Sequence, residues 1–145
     1  MKKRKNTIYL SGSIEASTDP LSWRKQMFRA LHKKYNVIIP DPMQPPFDKT
    51  DEEYPDWVRQ NFIMPDMHDV ATSRYCFVLL DKAVFKGAGT ISEIALACWL
   101  GKEIVYMLDG ITKEEMPSWV LGCLADAIEV KSIEEAIDYY EHKEA

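Results

Sequence analysis

The sequence predicts a three-layer α/β sandwich on a five-stranded, mostly parallel sheet, and two observations carry that reading. Short runs rich in β-branched and aromatic residues, bounded by turn residues, recur along the chain, and helical segments separate them. Strands that alternate with helices imply a parallel sheet covered on both faces. With 145 residues, 46% of them hydrophobic, the chain has material for one sizeable core. Halving it leaves each part poorly buried, so a single domain over 1–145 is expected.

The strand signals are Thr7 to Ser11, Asn36 to Pro40, Tyr75 to Asp81 and Glu103 to Leu108, with a weaker fifth from Ala127 to Lys131. Asp19-Pro20 marks a helix start, and Leu21, Phe28, Leu31 and Tyr35 recur on one face after it, predicting an amphipathic helix packed on the sheet. From Asp41 to Pro55 the chain holds Pro42, Pro45, Pro46 and Pro55 with Phe47 and several acids, which suits neither a strand nor a helix interior. Long loops are uncommon in compact domains unless functional, so this one is either a lid over a binding site or a surface insertion. A helix from Pro55 to about Ser73, open to interruption at Pro65, follows it. The next, Thr90 to Leu100, is apolar on nearly every face and is expected to be buried. Thr112 with Glu115, and Ser132 with Glu135, have the spacing of capping boxes opening the last two helices.

Composition removes several classes of partner. The formal charge of −5 comes with no block of like charge beyond Lys2 to Lys5, so no nucleic-acid partner is expected. No apolar run approaches a bilayer span and the start lacks a secretory h-region, which implies no membrane partner and a cytoplasmic location. Cys76, Cys98 and Cys123 lie singly in apolar segments, away from any His at ligand spacing, and read as reduced core residues. Neither a metal nor a cofactor is called for.

Open parallel sheets bind ligands outside the carboxyl ends of their strands, which directs attention to Ser11 to Glu15, Asp41 onward, Asp81 to Thr90, and Asp109 to Ile111. In Gly87-Ala88-Gly89-Thr90-Ile91-Ser92-Glu93 a glycine turn enters a helix whose first turn offers free N–H groups and a carboxylate. Two readings stand for Glu93: a poised active-site acid, or the partner of Thr90 in a capping box. Asp66 and Asp69 share a helix face at i, i+3 spacing beside His68, as paired site carboxylates or as a solvated face. Ser13, in the hydroxyl-rich turn after the first strand, suits a phosphate or sugar, while Tyr9, Trp57 and Phe62 are core aromatics or, for the last two, a stacking wall for a planar ligand.

Together these segments resemble the nucleoside 2-deoxyribosyltransferase family, with its 2'-deoxynucleoside 5'-monophosphate N-hydrolase relatives. The resemblance rests on Tyr9-Leu10-Ser11-Gly12-Ser13-Ile14, on Asp66, on Gly89-Thr90-x-x-Glu93 followed by Gly101-Lys102, and on Pro117-Ser118-Trp119, in that order. It implies a flavodoxin/Rossmann-like fold and cleavage of an N-glycosidic bond in a deoxynucleoside or deoxynucleotide, with release or exchange of the free base. Glu93 takes the nucleophile's place, Tyr9 orients it, and Asp66, with Asp69 as the weaker candidate, assists the departing base. Gly12, Ser13, Ile14, Asp81, Lys86, Gly89 and Thr90 stand where substrate binds, and Ser118 serves the site of a neighbouring subunit in a homo-oligomer. Where the nucleotide hydrolases continue with a basic, glycine-rich loop, this chain has Glu15-Ala16-Ser17-Thr18, leaving Lys86 and the hydroxyls of Ser13 and Ser17 as partial substitutes. A non-catalytic nucleotide sensor on the same sheet is the rival reading.

Overall fold

A computed structural model describes residues 5–14 and 19–143. Its strands are β1 (Thr7–Gly12), β2 (Asn36–Ile38), β3 (Tyr75–Leu80), β4 (Glu103–Leu108) and β5 (Ile128–Val130), in the order β2-β1-β3-β4-β5. Every adjacent pair is parallel, so the expected sheet is present and wholly parallel. β3 is buried along its whole length, and its run Tyr-Cys-Phe-Val-Leu-Leu is continuously apolar because helices cover both faces. β2 ends at Ile38, short of Pro40, which has no N–H to give a ladder.

The helices are α1 (Ser22–Leu31), α2 (Tyr54–Val58), α3 (Met64–Thr72), α4 (Gly89–Trp99), α5 (Ser118–Cys123) and α6 (Ile133–His142). On one side of the sheet Ile8, Leu10 and Phe77 pack with Met27 and Leu31 of α1 and Ala136 and Tyr140 of α6. On the other, Tyr9, Cys76 and Val78 meet Val70 of α3, Ile94 and Ala97 of α4, and Val120 of α5. Side chains alternate across a strand, so Tyr9 and Ser11 share the face that α4 covers. That alternation positions the site.

Several local expectations change. The inward face of α1 is Arg24, Met27 and Leu31 at i, i+3, i+7 spacing, whereas Phe28 lies outside, stacked on His32 at 5.1 Å between ring centroids. α4 turns Thr90, Glu93, Ile94 and Ala97 inward but leaves Trp99 85% exposed, because the chain places only part of a helix layer beside it. Cys98 is exposed too and Cys123 half-buried, so of the cysteines only Cys76 is a core residue. The Thr112–Glu115 capping box forms, yet it opens a single 3-10 turn, Lys113–Glu115, and α5 starts afresh after Pro117. Ser132 caps α6 as expected, accepting the Glu135 N–H at 3.0 Å.

The helical run from Tyr54 to Thr72 is continuous, but Arg59–Ile63 widen into a π turn between α2 and α3. Pro65 explains it: the ring lacks an N–H and crowds the carbonyl one turn back, and the wider turn relieves both. At the far end of α4, Gly101 takes a φ of 69°, and the Lys102 N–H reaches back to the Ala97 carbonyl at 2.9 Å.

Gly12 closes β1 and is the most tightly packed of the glycines. A β-carbon there would stand 2.9 Å from Trp23 Cζ2, 3.3 Å from Arg24 Nη2 and 3.4 Å from the Leu79 carbonyl. Gly12→Ala is therefore expected to destabilise the fold by about 1–3 kcal/mol, the cost of overpacking. Urea denaturation measures it, and an unchanged midpoint would show that Trp23 yields freely.

Candidate active site

α4 begins at Gly89 with Ala88 in the cap position, so Thr90 already lies inside the first turn and Glu93 one turn deeper. The capping-box reading of Glu93 fails for that reason. Its side chain turns to β1 instead: Tyr9 Oη donates to Oε2, and Ser11 Oγ donates to Oε1 at 2.7 Å. With 7% of its surface exposed, Glu93 has one hydroxyl donor on each oxygen. Its pKa is raised on balance: burial pushes it up, and the Tyr9 and Ser11 hydrogen bonds and the charge of Arg24 offset part of that rise. Burial, then the Glu93 charge, lifts the Tyr9 phenol well above its ordinary range, so Tyr9 remains a neutral donor.

Asp66 sits near the start of α3. Burial first, then the charges of Glu93 and Asp69, push its carboxyl up to about 7, with Arg24 opposing. Asp66 and Glu93 line one cleft of ≈ 440 Å³. The cleft opens beyond the carboxyl ends of β1 and β3, where the strand order reverses and open α/β sheets take their ligands. Gly12, Ser13 and Ile14 form one wall, Lys86, Gly89 and Thr90 another. The proline-rich loop supplies Asp41, Met43, Gln44, Pro45 and Lys49. Of the lid and the surface insertion, the lining favours the lid.

This geometry can be set beside solved structures. The 2-deoxyribosyltransferase of the psychrotolerant bacterium Bacillus psychrosaccharolyticus matches with a TM-score of 0.63 at 18% identity, over 92% of this chain and 91% of that one. The chain has the fold of that 2-deoxyribosyltransferase. The Clostridium botulinum CMP N-glycosidase BcmB matches with a TM-score of 0.57 at 16% identity, over 94% of this chain and 99% of that one. TIR domains of the activated Roq1 resistosome share the fold more distantly, with a TM-score of 0.51 at 12% identity over 84% and 70% of the two chains. No protein-family model matches the chain, and no curated protein matches it.

Within this deoxyribosyltransferase fold some expected residues lie off the cleft. Asp69 is one turn beyond Asp66 along α3, and that rise carries it away to a separate hollow beside His32 and Arg74. His68 is exposed. Asp81 accepts the Val84 N–H at 3.2 Å, capping the 3-10 turn Lys82–Lys86, and is not among the residues lining the cleft. Ser118 is exposed at the start of α5, outside its own chain's cleft. Phe62 lines the cleft, whereas Trp57 meets it edge-on at 5.1 Å and lines a different hollow with Phe47. Lys2 to Arg4 and Glu15 to Thr18, with the Ser17 hydroxyl, lie outside the described residues.

Two residues escaped the sequence reading. Ser11 is two positions from Tyr9, and strand period alone puts both on the α4 side. Arg24 falls on the buried stripe of α1, where a charged residue between apolar neighbours was the available signal.

Asp66 makes stability depend on pH. A carboxyl raised on folding holds its proton more tightly in the folded chain, so stability falls as pH climbs from the ordinary 3.8 to about 7 and is flat above that window. Asp66→Asn removes its part of the slope. The variant should gain about 1 kcal/mol over wild type at pH 8 relative to their difference at pH 4, the full linkage value being discounted for solvent at this partly exposed group. Urea titrations at both pH values check this; parallel pH profiles would count against a raised Asp66.

Proposed function

We propose that this chain cleaves the N-glycosidic bond of 2'-deoxyribonucleosides through a covalent deoxyribosyl ester on Glu93, and transfers the sugar to a second base. The observation that supports it most is the buried Glu93 carboxylate, held at both oxygens by Tyr9 and Ser11, in the same cleft as an Asp66 whose proton is available near neutral pH. Two carboxyl groups with environments that separate their roles suit a nucleophile and an acid.

In the first step a Glu93 oxygen forms a bond to C1' as the bond from C1' to the base nitrogen breaks, and the Asp66 proton passes to the departing base. A deoxyribose lacks the electron-withdrawing 2'-hydroxyl, so its oxocarbenium-like transition state forms readily. In the second step a nitrogen of the incoming base attacks C1', its proton returns to Asp66, and Glu93 leaves as a carboxylate. Tyr9 and Ser11 remain donors throughout and hold the carboxylate rotamer.

Hydrolysis of a 5'-monophosphate is the second reading, with water in place of the acceptor base. The similarity in fold to a CMP N-glycosidase favours it, as do Ser13 and Lys86 on the cleft wall. Comparing kcat/KM for a deoxynucleoside and its monophosphate, with and without an acceptor base, separates the two.

Glu93→Gln tests the chemistry itself. The amide oxygen can still accept from one hydroxyl while the NH2 group donates to the other, but the amide is no carboxylate nucleophile, so kcat should fall about a thousandfold or more with little change in thermal midpoint. Wild type incubated with a slow 2'-fluoroarabinosyl substrate should gain the mass of the sugar on Glu93. Near-normal turnover by Glu93→Gln defeats the proposal and leaves the site to a binding role.

The oligomer is part of the same reading. Ser118 lies off its own cleft beside a Trp119 that is 72% exposed, which supports a role for it in a neighbour's site. Inactive Ser118→Ala and Glu93→Ala chains, dissociated and mixed, should regain part of the activity by forming one intact shared site. A monomer by light scattering, or no recovery, removes this role from Ser118.

A further inference from the structure

Arg24 has no exposed surface, although arginine is almost never fully buried unless it is paired. Its guanidinium donates to main-chain carbonyls: Nε to Leu10 at 3.3 Å, Nη2 to Gly12 at 2.8 Å and Nη1 to Pro20 at 2.5 Å. It also lies 4.5 Å from the centre of the Trp23 ring. The Leu10 and Gly12 carbonyls flank Ser11, the donor to Glu93 Oε1. Neutral carbonyls satisfy the donors but leave the charge uncompensated, and a buried charge is costly without an opposite one in reach.

Of the opposite charges acting on Arg24, that of Glu93 comes first, ahead of Asp66 and Asp81. Facing Glu93 are Tyr9 and Ser11 from β1, Asp66 from α3, Cys76 from β3 and Arg24 from α1, with Lys86 on the cleft wall beyond. Of these, Asp66 repels a Glu93 carboxylate, and the neutral phenol and thiol add no charge. Arg24 is the buried cation of the set.

We propose that Arg24 is a positioning residue with two linked tasks: its fork of donors fixes the carboxyl end of β1 around Ser11, and its charge favours the ionised form of Glu93 in a site nearly closed to solvent. Burial lowers the Arg24 pKa only to about 10, so the group stays cationic at neutral pH. Methionine fills similar space without charge or donors; lysine keeps the charge on a single nitrogen that cannot reproduce the fork.

The inference rests on Glu93 as the working carboxylate, but its test does not need turnover. Carboxyl-labelled glutamate, with the Glu93 signal assigned by its loss in Glu93→Gln, gives the Glu93 titration midpoint by NMR in the free protein. Arg24→Met should raise that midpoint by about one pH unit or more. The acid limb of kcat/KM for a deoxynucleoside should rise with it, since more hydroxide is then needed to ionise the nucleophile. Arg24→Lys should keep the midpoint near that of wild type while kcat falls. An unmoved midpoint in Arg24→Met, or an equal shift in Arg24→Lys, overturns the counter-charge. If no glycosidase activity is found, the midpoint still decides the inference independently of the proposed reaction. Should Arg24→Met fail to fold, Arg24→Lys decides alone: a Glu93 midpoint near that of wild type supports the counter-charge, and one raised by about a pH unit or more overturns it.

Discussion

One junction organises this molecule: the carboxylate of Glu93 on α4 held by the hydroxyls of Tyr9 and Ser11 on β1. It ties the central helix of one layer to a central strand of the sheet across 82 and 84 residues of sequence. Hydrogen bonds to a buried ionised group are worth more than those between neutral partners, and losing one partner leaves the rest costly. The strand pleat, the early start of α4 at Gly89 and the tight closure of β1 at Gly12 all serve to bring these three side chains together. A change in any of them reaches the site without touching it.

That junction also explains why two carboxyl groups in one cleft differ. Glu93 is the more buried, and its two hydroxyl donors and Arg24 offset part of the burial that raises it. Burial first, then the charges of Glu93 and Asp69, hold the Asp66 proton into the neutral range. Environment, rather than residue type, separates a carboxylate from a carboxylic acid here.

Much of the architecture was legible because it is written in local terms. The strand β4 was bounded at both ends by its own apolar run between Lys102 and Asp109, and β1 and β3 to within a residue. What sequence could not carry was context. Phe28 and Leu31 look alike on a helical wheel, and only the position of the sheet decides that Met27 and Arg24 go inward with Leu31. Asp66 and Asp69 share a face, but a one-turn rise separates the cleft from the hollow beside Arg74. Thr90-x-x-Glu93 fits a capping box as text, and fails because the glycine turn lets α4 begin before Thr90. Ser11 was readable from strand period, whereas Arg24 required knowing which carbonyls end β1.

The two faces of α4 carry opposite messages. Inward, Thr90, Glu93, Ile94 and Ala97 follow helical spacing onto the sheet, which accounts for half of an unusually apolar helix. Outward, Trp99 and Leu100 remain exposed, and across the adjoining α5 so do Trp119 and Leu121. Scattered exposed apolar residues need no explanation, but two tryptophans and two leucines on neighbouring helices are a feature of the surface rather than noise. Ser118 belongs to that same outer side, away from the cleft of its own chain. A second chain covering these residues would bury the tryptophans. The helix that holds Glu93 inward would then also carry the contact, so that the cleft carboxylate and the covered surface would rest on opposite faces of the same few turns.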